Sequence, residues 1–157
     1  MPPQEIERKY LLRRIPKNLA SHPHEAISQG YISITDDGTE VRLRRKGQRF
    51  YETVKRGSGQ RRVELEIEIT QGQFDALWEA TAGKRVEKVR YVIPLSGGLL
   101  AQVDMYAGRL TGLITAEVEF KTEDQAAGFH APPWFGQEVT HEDAYKNQRL
   151  AIRGLPR

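Results

Sequence analysis

Glu5, Glu7 and Lys9 stand at alternate positions near the start of the chain. On a strand, residues at i, i+2 and i+4 project to one side, so this spacing lines two carboxylates and an ammonium along one face. The same spacing recurs: Arg42 and Arg44, Thr53 and Lys55, Glu64 and Glu66, Lys88 and Arg90, Gln102 and Asp104, Glu117 and Glu119. The opposite parity is apolar, with Ile6 and Tyr10, Val41 and Leu43, Leu65 and Ile67, Val89 and Tyr91, Val103 and Met105, Val118 and Phe120. The pattern is imperfect: residues 50–56 are mixed, and Val86 and Val92 share the parity of Lys88 and Arg90.

An antiparallel sheet with one solvated face produces the same alternation. Two details favour an enclosed charged face. The positions are almost purely Arg, Lys, Glu or Asp, whereas a solvated face usually mixes in Ser, Thr and Gln. They also come as like-charged pairs, whose repulsion at roughly 4 Å and an effective dielectric near ~20 is on the order of 4 kcal/mol. A ligand or counter-charge would relieve it. Facing inward, the set brings together six cations (Lys9, Arg42, Arg44, Lys55, Lys88, Arg90) and seven carboxylates (Glu5, Glu7, Glu64, Glu66, Asp104, Glu117, Glu119), a net charge of −1. Two divalent cations would raise this to about +3, and a polyphosphate of charge roughly −4 to −5 would bring it back near neutrality. Hard carboxylate oxygens suit Mg²⁺ or Mn²⁺, Arg reads phosphate bidentately, and Lys supplies point charge.

These residues must be positioned by strands. Strands are expected at residues 4–12, 27–34, 40–45, 50–56, 63–70, 85–93, 99–106 and 115–121. Asp36-Asp37-Gly38, Lys46-Gly47-Gln48, Gly57-Ser58-Gly59 and Ser96-Gly97-Gly98 supply the turns between them. The period changes at Phe74, Leu77 and Trp78, which mark one helix face after a capping box at Thr70 and Gln73, with Gly83 at the exit. Thr122 and Gln125 open a second short helix to Ala127, and residues 142–152 are expected to form the last. Residues 132–136 form an irregular apolar segment in which Trp134 and Phe135 serve as cover. Hairpin connections imply an antiparallel sheet, and eight strands can close into a barrel just wide enough for side chains or one small ligand.

The length of 157 residues fits one domain with a proper core. A net charge of +3, from 24 basic and 21 acidic residues, is a weak basic excess and poor evidence for nucleic-acid binding. A nucleic-acid face would also interleave aromatics with its cations, and only Tyr31 and Tyr51 fit. The absence of cysteine excludes disulfides, thiolate nucleophiles and Cys-ligated zinc. There is no membrane-length apolar run and no signal-peptide pattern, so a cytoplasmic protein is expected. His22 and His24 flank Pro23 without an evident third metal ligand.

Glu5-x-Glu7-x-Lys9 resembles the N-terminal ExExK signature of the CYTH superfamily, the triphosphate tunnel metalloenzymes. The resemblance spans nearly the whole chain through Arg42-x-Arg44, Lys55, Glu64-x-Glu66, Lys88-x-Arg90, Asp104 and Glu117-x-Glu119, in order. It implies an α+β, mainly antiparallel fold: a closed eight-stranded barrel over residues 1–157, with helices outside and at the C-terminus. It further implies metal-dependent hydrolysis of a small-molecule triphosphate. Lys9, Arg42, Arg44, Lys55, Lys88 and Arg90 would grip phosphates. Glu5, Glu7, Glu64, Glu66, Asp104, Glu117 and Glu119 would serve two Mg²⁺ or Mn²⁺ ions. Glu5, Glu7 and Lys55 are the catalytic candidates, with either a carboxylate or Lys55 orienting the water, and Tyr31 an accessory. Gln29-Gly30-Tyr31, Val86-Glu87-Lys88 and residues 132–136 look like the short bacterial members that hydrolyse inorganic triphosphate. Cyclisation of ATP, thiamine triphosphate hydrolysis and a non-catalytic polyphosphate binder are the alternatives, and a homodimer is compatible with the family.

Overall fold

The computed structural model describes residues 6–56 and 63–157. Glu5, with the expected start of the first strand, and the turn at Gly57-Ser58-Gly59 lie outside them. Eight strands form one antiparallel sheet: β1 (Ile6–Leu11), β2 (His24–Ile34), β3 (Glu40–Lys46), β4 (Arg49–Arg56), β5 (Val63–Ile69), β6 (Arg85–Pro94), β7 (Leu100–Tyr106) and β8 (Ile114–Phe120). Their lateral order is β1-β8-β7-β6-β2-β3-β4-β5. β2 begins three residues earlier than the alternation predicts and takes in His24, whose ring lies 5.0 Å from that of Tyr91. A register shift between Tyr31 and Ser33 lets this long strand bend.

The expectation of a closed barrel is corrected here. Among the described residues β1 and β5 are the two edges of the sheet and do not pair. The physical reason lies on β1. Its outer edge is already occupied by the segment after the irregular apolar stretch. Leu11 N donates to Gln137 O (2.8 Å), Gly136 N to Leu11 O (2.7 Å) and Val139 N to Lys9 O (2.8 Å). These bonds satisfy the backbone groups that β5 would need. The approach is close: a Cβ on Gly136 would lie 2.6 Å from Leu11 O, so the strap requires glycine there. Arg8 fastens the same segment by gripping both carboxylate oxygens of Glu138, at 2.7 and 2.9 Å.

Helices cover the apolar face over β3 and β4 on one side and over β1 and β8 on the other, while Val63, Leu65 and Ile67 of the edge strand β5 stay exposed. α1 (Gln71–Trp78) starts at the expected capping box, with Thr70 Oγ1 accepting from Gln73 N (3.1 Å) and Thr70 N donating to Gln73 Oε1 (2.9 Å). Phe74 of α1 packs on Phe50 and Trp78. The following turn sets Thr81 directly over Gly30, where a Cβ would come within 2.6 Å of it. At the other end, α2 (Glu123–Ala127) and Phe135 close the cluster of Tyr10, Val103, Ala116, Val118 and Phe120.

The last expected helix is two pieces. A 3₁₀ turn at Asp143–Tyr145 is separated from α3 (Asn147–Arg153) by Lys146, whose backbone is extended. The break lets α3 pack on the opposite, charged face. Its buried Leu150 and Ala151 cluster with Tyr31, Val86 and Tyr106. Tyr31 stands across from Arg42, and Tyr106 across from Lys88, so α3 closes the charged face at one end. Among the described residues no helix is long and apolar enough to cross a membrane.

Candidate functional site

The strand order sorts the charged residues. β3 and β6, near the centre of the sheet, carry Arg42, Arg44, Lys88 and Arg90. β2 runs between them and contributes the uncharged Gln29 and Tyr31 to that face. The carboxylates are concentrated nearer the two edges, Glu64 and Glu66 on β5 and Glu7, Glu117 and Glu119 on β1 and β8. This face is not solvated at its centre: Arg42, Thr53, Lys88 and Asp104 are all buried.

Asp104 is the hub of the central group. Arg90 Nε and Nη2 donate to its two oxygens at 2.8 and 3.0 Å, and Lys88 Nζ lies 2.8 Å from Oδ2. Burial alone would raise the Asp104 carboxyl, but the two cations overcome it and hold the group well below the usual carboxylate range. Burial opposes the Arg90 charge, and the bonds to Asp104 more than restore it. Lys88 is the exception. Its side chain is completely buried, with the Tyr106 ring 5.4 Å from Nζ, and that burial pulls its pKa down to about 8 despite Asp104. Tyr106 is itself held by α3, its hydroxyl donating to Asn147 Oδ1 at 2.9 Å.

Across β2, Arg44 Nε donates to Gln29 Oε1 (2.8 Å), and Gln29 Nε2 donates to Tyr31 Oη (2.6 Å). Burial, together with the neighbouring Arg42 and Arg90 charges, lowers Arg44 to about 10. Tyr31 is pushed up to about 12, first by burial and then by Glu40. Arg42 is only loosely neutralised, by Glu40 at 3.8 Å and Glu64 at 3.9 Å. Its buried Nε has no hydrogen-bond partner among the described residues. A buried guanidinium N–H of this kind is a strong donor to an anionic oxygen.

The remaining predicted residues flank this centre. Lys55 is half-buried and stands between Glu40 and Glu64 in register. Glu66 accepts from Thr53 Oγ1 at 2.8 Å. Lys9 donates to Tyr145 O at 2.6 Å and lies 3.5 Å from Glu117. Glu7 and Glu119 are exposed and directly opposite each other across the β1–β8 ladder. Glu5 lies outside the described residues. Gln29, Glu40 and Tyr106 join the site although sequence reasoning did not assign them to it. Gln29 and Glu40 fall two residues before Tyr31 and Arg42, so the strand period alone could have placed them on the charged face.

No group of three or more Asp, Glu, His or Cys side chains is gathered into a metal-binding cluster among the described residues. The donor chemistry nevertheless fits a divalent cation. Glu7 and Glu119 face each other across the β1–β8 ladder, and their hard carboxylate oxygens are the donor type that Mg²⁺ or Mn²⁺ prefers.

No protein-family model matches this chain. It is 46% identical over 149 residues to the inorganic triphosphatase of Nitrosomonas europaea, covering 94% of this chain and 97% of that protein. It is 37% identical over 150 residues to the inorganic triphosphatase of Acetivibrio thermocellus, covering 94% of this chain and 92% of that protein. The crystal structure of the inorganic triphosphatase NE1496 superposes with a TM-score of 0.79 at 42% identity, covering 98% of this chain and 97% of that one. On the ordered charged strands and this end-to-end similarity, the chain belongs to the inorganic triphosphatases of the CYTH superfamily.

Proposed function

We propose that this protein hydrolyses inorganic triphosphate to pyrophosphate and orthophosphate with Mg²⁺ or Mn²⁺. One observation carries the reading. Arg42, Arg44, Lys88 and Arg90 form a partly buried cationic centre, in which burial and then the neighbouring cations depress Arg44 and the Arg42 Nε lacks a partner among the described residues. A linear polyanion fits that centre, and relatives over nearly the whole chain bear the name inorganic triphosphatase.

Arg42, Arg44 and Arg90 hold the phosphate chain, and Lys9 and Lys55 flank it. Glu7 and Glu119, with Glu117 nearby and Glu5 from the expected motif, hold the divalent ions. A divalent ion held there would supply charge neutralisation at the phosphate oxygens during in-line attack on the terminal phosphoryl group. Asp104 has both oxygens engaged, so we assign it to anchoring Lys88 and Arg90 rather than to a metal. Lys88, with no exposed side-chain surface and its Nζ 2.8 Å from Asp104, backs the centre as a fixed cation. Lys55, half-buried between Glu40 and Glu64, or a flanking carboxylate orients the attacking water, whose proton passes to a phosphate oxygen. The water oxygen bonds to the terminal phosphorus, the bridging P–O bond breaks, and pyrophosphate leaves with the electron pair. Tyr31, whose hydroxyl keeps its proton up to about pH 12, donates a hydrogen bond to the substrate.

The test is a substrate screen. Purified protein with Mg²⁺ or Mn²⁺ is given tripolyphosphate, ATP, thiamine triphosphate and pyrophosphate, with orthophosphate and cyclic AMP measured in parallel. Tripolyphosphate should be turned over with the highest kcat/KM. Preferred turnover of thiamine triphosphate, or cyclic AMP without orthophosphate, would overturn the assignment.

A further inference from the structure

β2 separates the two cation-bearing strands, and at the position between Arg44 and β6 it carries a buried neutral amide. Gln29 has no solvent exposure, and both of its polar ends are committed to residues of the site. We infer that Gln29 is a positioning residue for triphosphate recognition, setting the direction of the hydrogen bonds at Arg44 and Tyr31. The inference rests on the functional reading above and adds a residue which that reading does not use.

The logic follows from donor and acceptor inventories. A guanidinium has only N–H donors, so Arg44 Nε, at 2.8 Å, must face the amide oxygen of Gln29. That fixes the orientation of the amide and turns Nε2–H toward Tyr31 Oη, 2.6 Å away. Tyr31 therefore accepts from Gln29, and its own O–H proton remains free to be donated elsewhere. Arg44 is oriented by a neutral acceptor, so its positive charge and its Nη donors stay available for phosphate. A carboxylate at this position would pair with Arg44 and cancel much of that charge. It would also accept the Tyr31 proton and divert it from the substrate. In register Gln29 lies between Arg44 on β3 and Val86 on β6, so neither residue paired with it across the sheet is an acid.

Gln29→Glu and Gln29→Met test this, with Arg44→Ala and the double variant Gln29→Met/Arg44→Ala completing a cycle. Initial rates with tripolyphosphate give kcat and KM separately, and thermal unfolding monitors the fold. Gln29→Glu keeps the side-chain shape and should raise KM by about ten-fold or more, since it removes a charge-assisted phosphate contact. Gln29→Met should cost little when added to Arg44→Ala, because the contact it supports is already gone. A wild-type KM in Gln29→Glu, or fully additive losses in the cycle, would overturn the inference while leaving the triphosphatase reading intact. Wild-type protein that does not turn over tripolyphosphate would overturn both.

Discussion

Asp104 and Arg90 form a two-pronged ion pair between adjacent strands, at 2.8 and 3.0 Å, and Lys88 closes on the same carboxylate at 2.8 Å. Asp104 thereby brings two cations together on a buried face. Removing its charge should do more harm than removing a surface acid. Asp104→Asn leaves Lys88 and Arg90 without their counter-ion and should destabilise the fold by about 3–5 kcal/mol. Urea unfolding measures this, and a loss below about 1 kcal/mol, the range of an exposed pair, would contradict the hub role.

Burial lowers the Lys88 ammonium to about 8. Losing that charge weakens the grip on a polyanion, so kcat/KM for tripolyphosphate should fall as the pH rises through about 8. Lys88→Arg keeps its charge throughout this range and should flatten the fall. A pH profile of kcat/KM for both proteins gives the answer, and the same alkaline fall in Lys88→Arg would exclude Lys88 as its origin.

Gly30 is a packing requirement. A Cβ there would come within 2.6 Å of Thr81, which anchors the turn after α1 on the apolar face. Gly30→Ala should cost about 1–3 kcal/mol by overpacking, and adding Thr81→Ser should recover little of it, since Cβ and Oγ1, both 2.6 Å away, remain. Thermal unfolding of the two variants checks both the sign and the small recovery.

The strap along β1 is acid-sensitive. The hydrogen bond from Arg8 holds Glu138 down from 4.5 to about 2. A carboxylate lowered on folding contributes stability that is fully present above its unfolded pKa. This contribution should therefore be intact above about pH 4.5 and fade as the pH falls toward 2. The pair is partly exposed, so Glu138→Gln should cost only about 1 kcal/mol at neutral pH. The difference between variant and wild type should shrink in acid. A constant difference across pH 2–6 would rule out this pair as the origin.

Much of the sheet was legible from the strand period. Glu64 to Ile69, Lys88 to Val92 and Val103 to Met105 announce strands by alternation, and Thr70 and Gln73 announce the first helix by capping chemistry. Closure was not legible. Which edge pairs with which depends on Gly136 to Val139 reaching back across the chain to Lys9 and Leu11, and no local pattern encodes that reach. The split of the last helix at Lys146 was hidden because residues 142–152 carry helical spacing on both sides of the break. Within the site, spacing identified the charged face but not the partners on it. The union of Asp104 with Lys88 and Arg90, and of Gln29 with Arg44, depends on the register of neighbouring strands.

The most direct measurement is orthophosphate release from tripolyphosphate by the wild-type protein at neutral pH, with Mg²⁺ or Mn²⁺ and again after chelation. The cationic centre and its flanking carboxylates predict one orthophosphate and one pyrophosphate per substrate, lost on chelation and restored by added metal. They also predict at least about a hundred-fold fall in turnover for Glu7→Gln with the fold retained. Undiminished turnover in chelator or in Glu7→Gln, or no release from tripolyphosphate at all, would contradict the assignment.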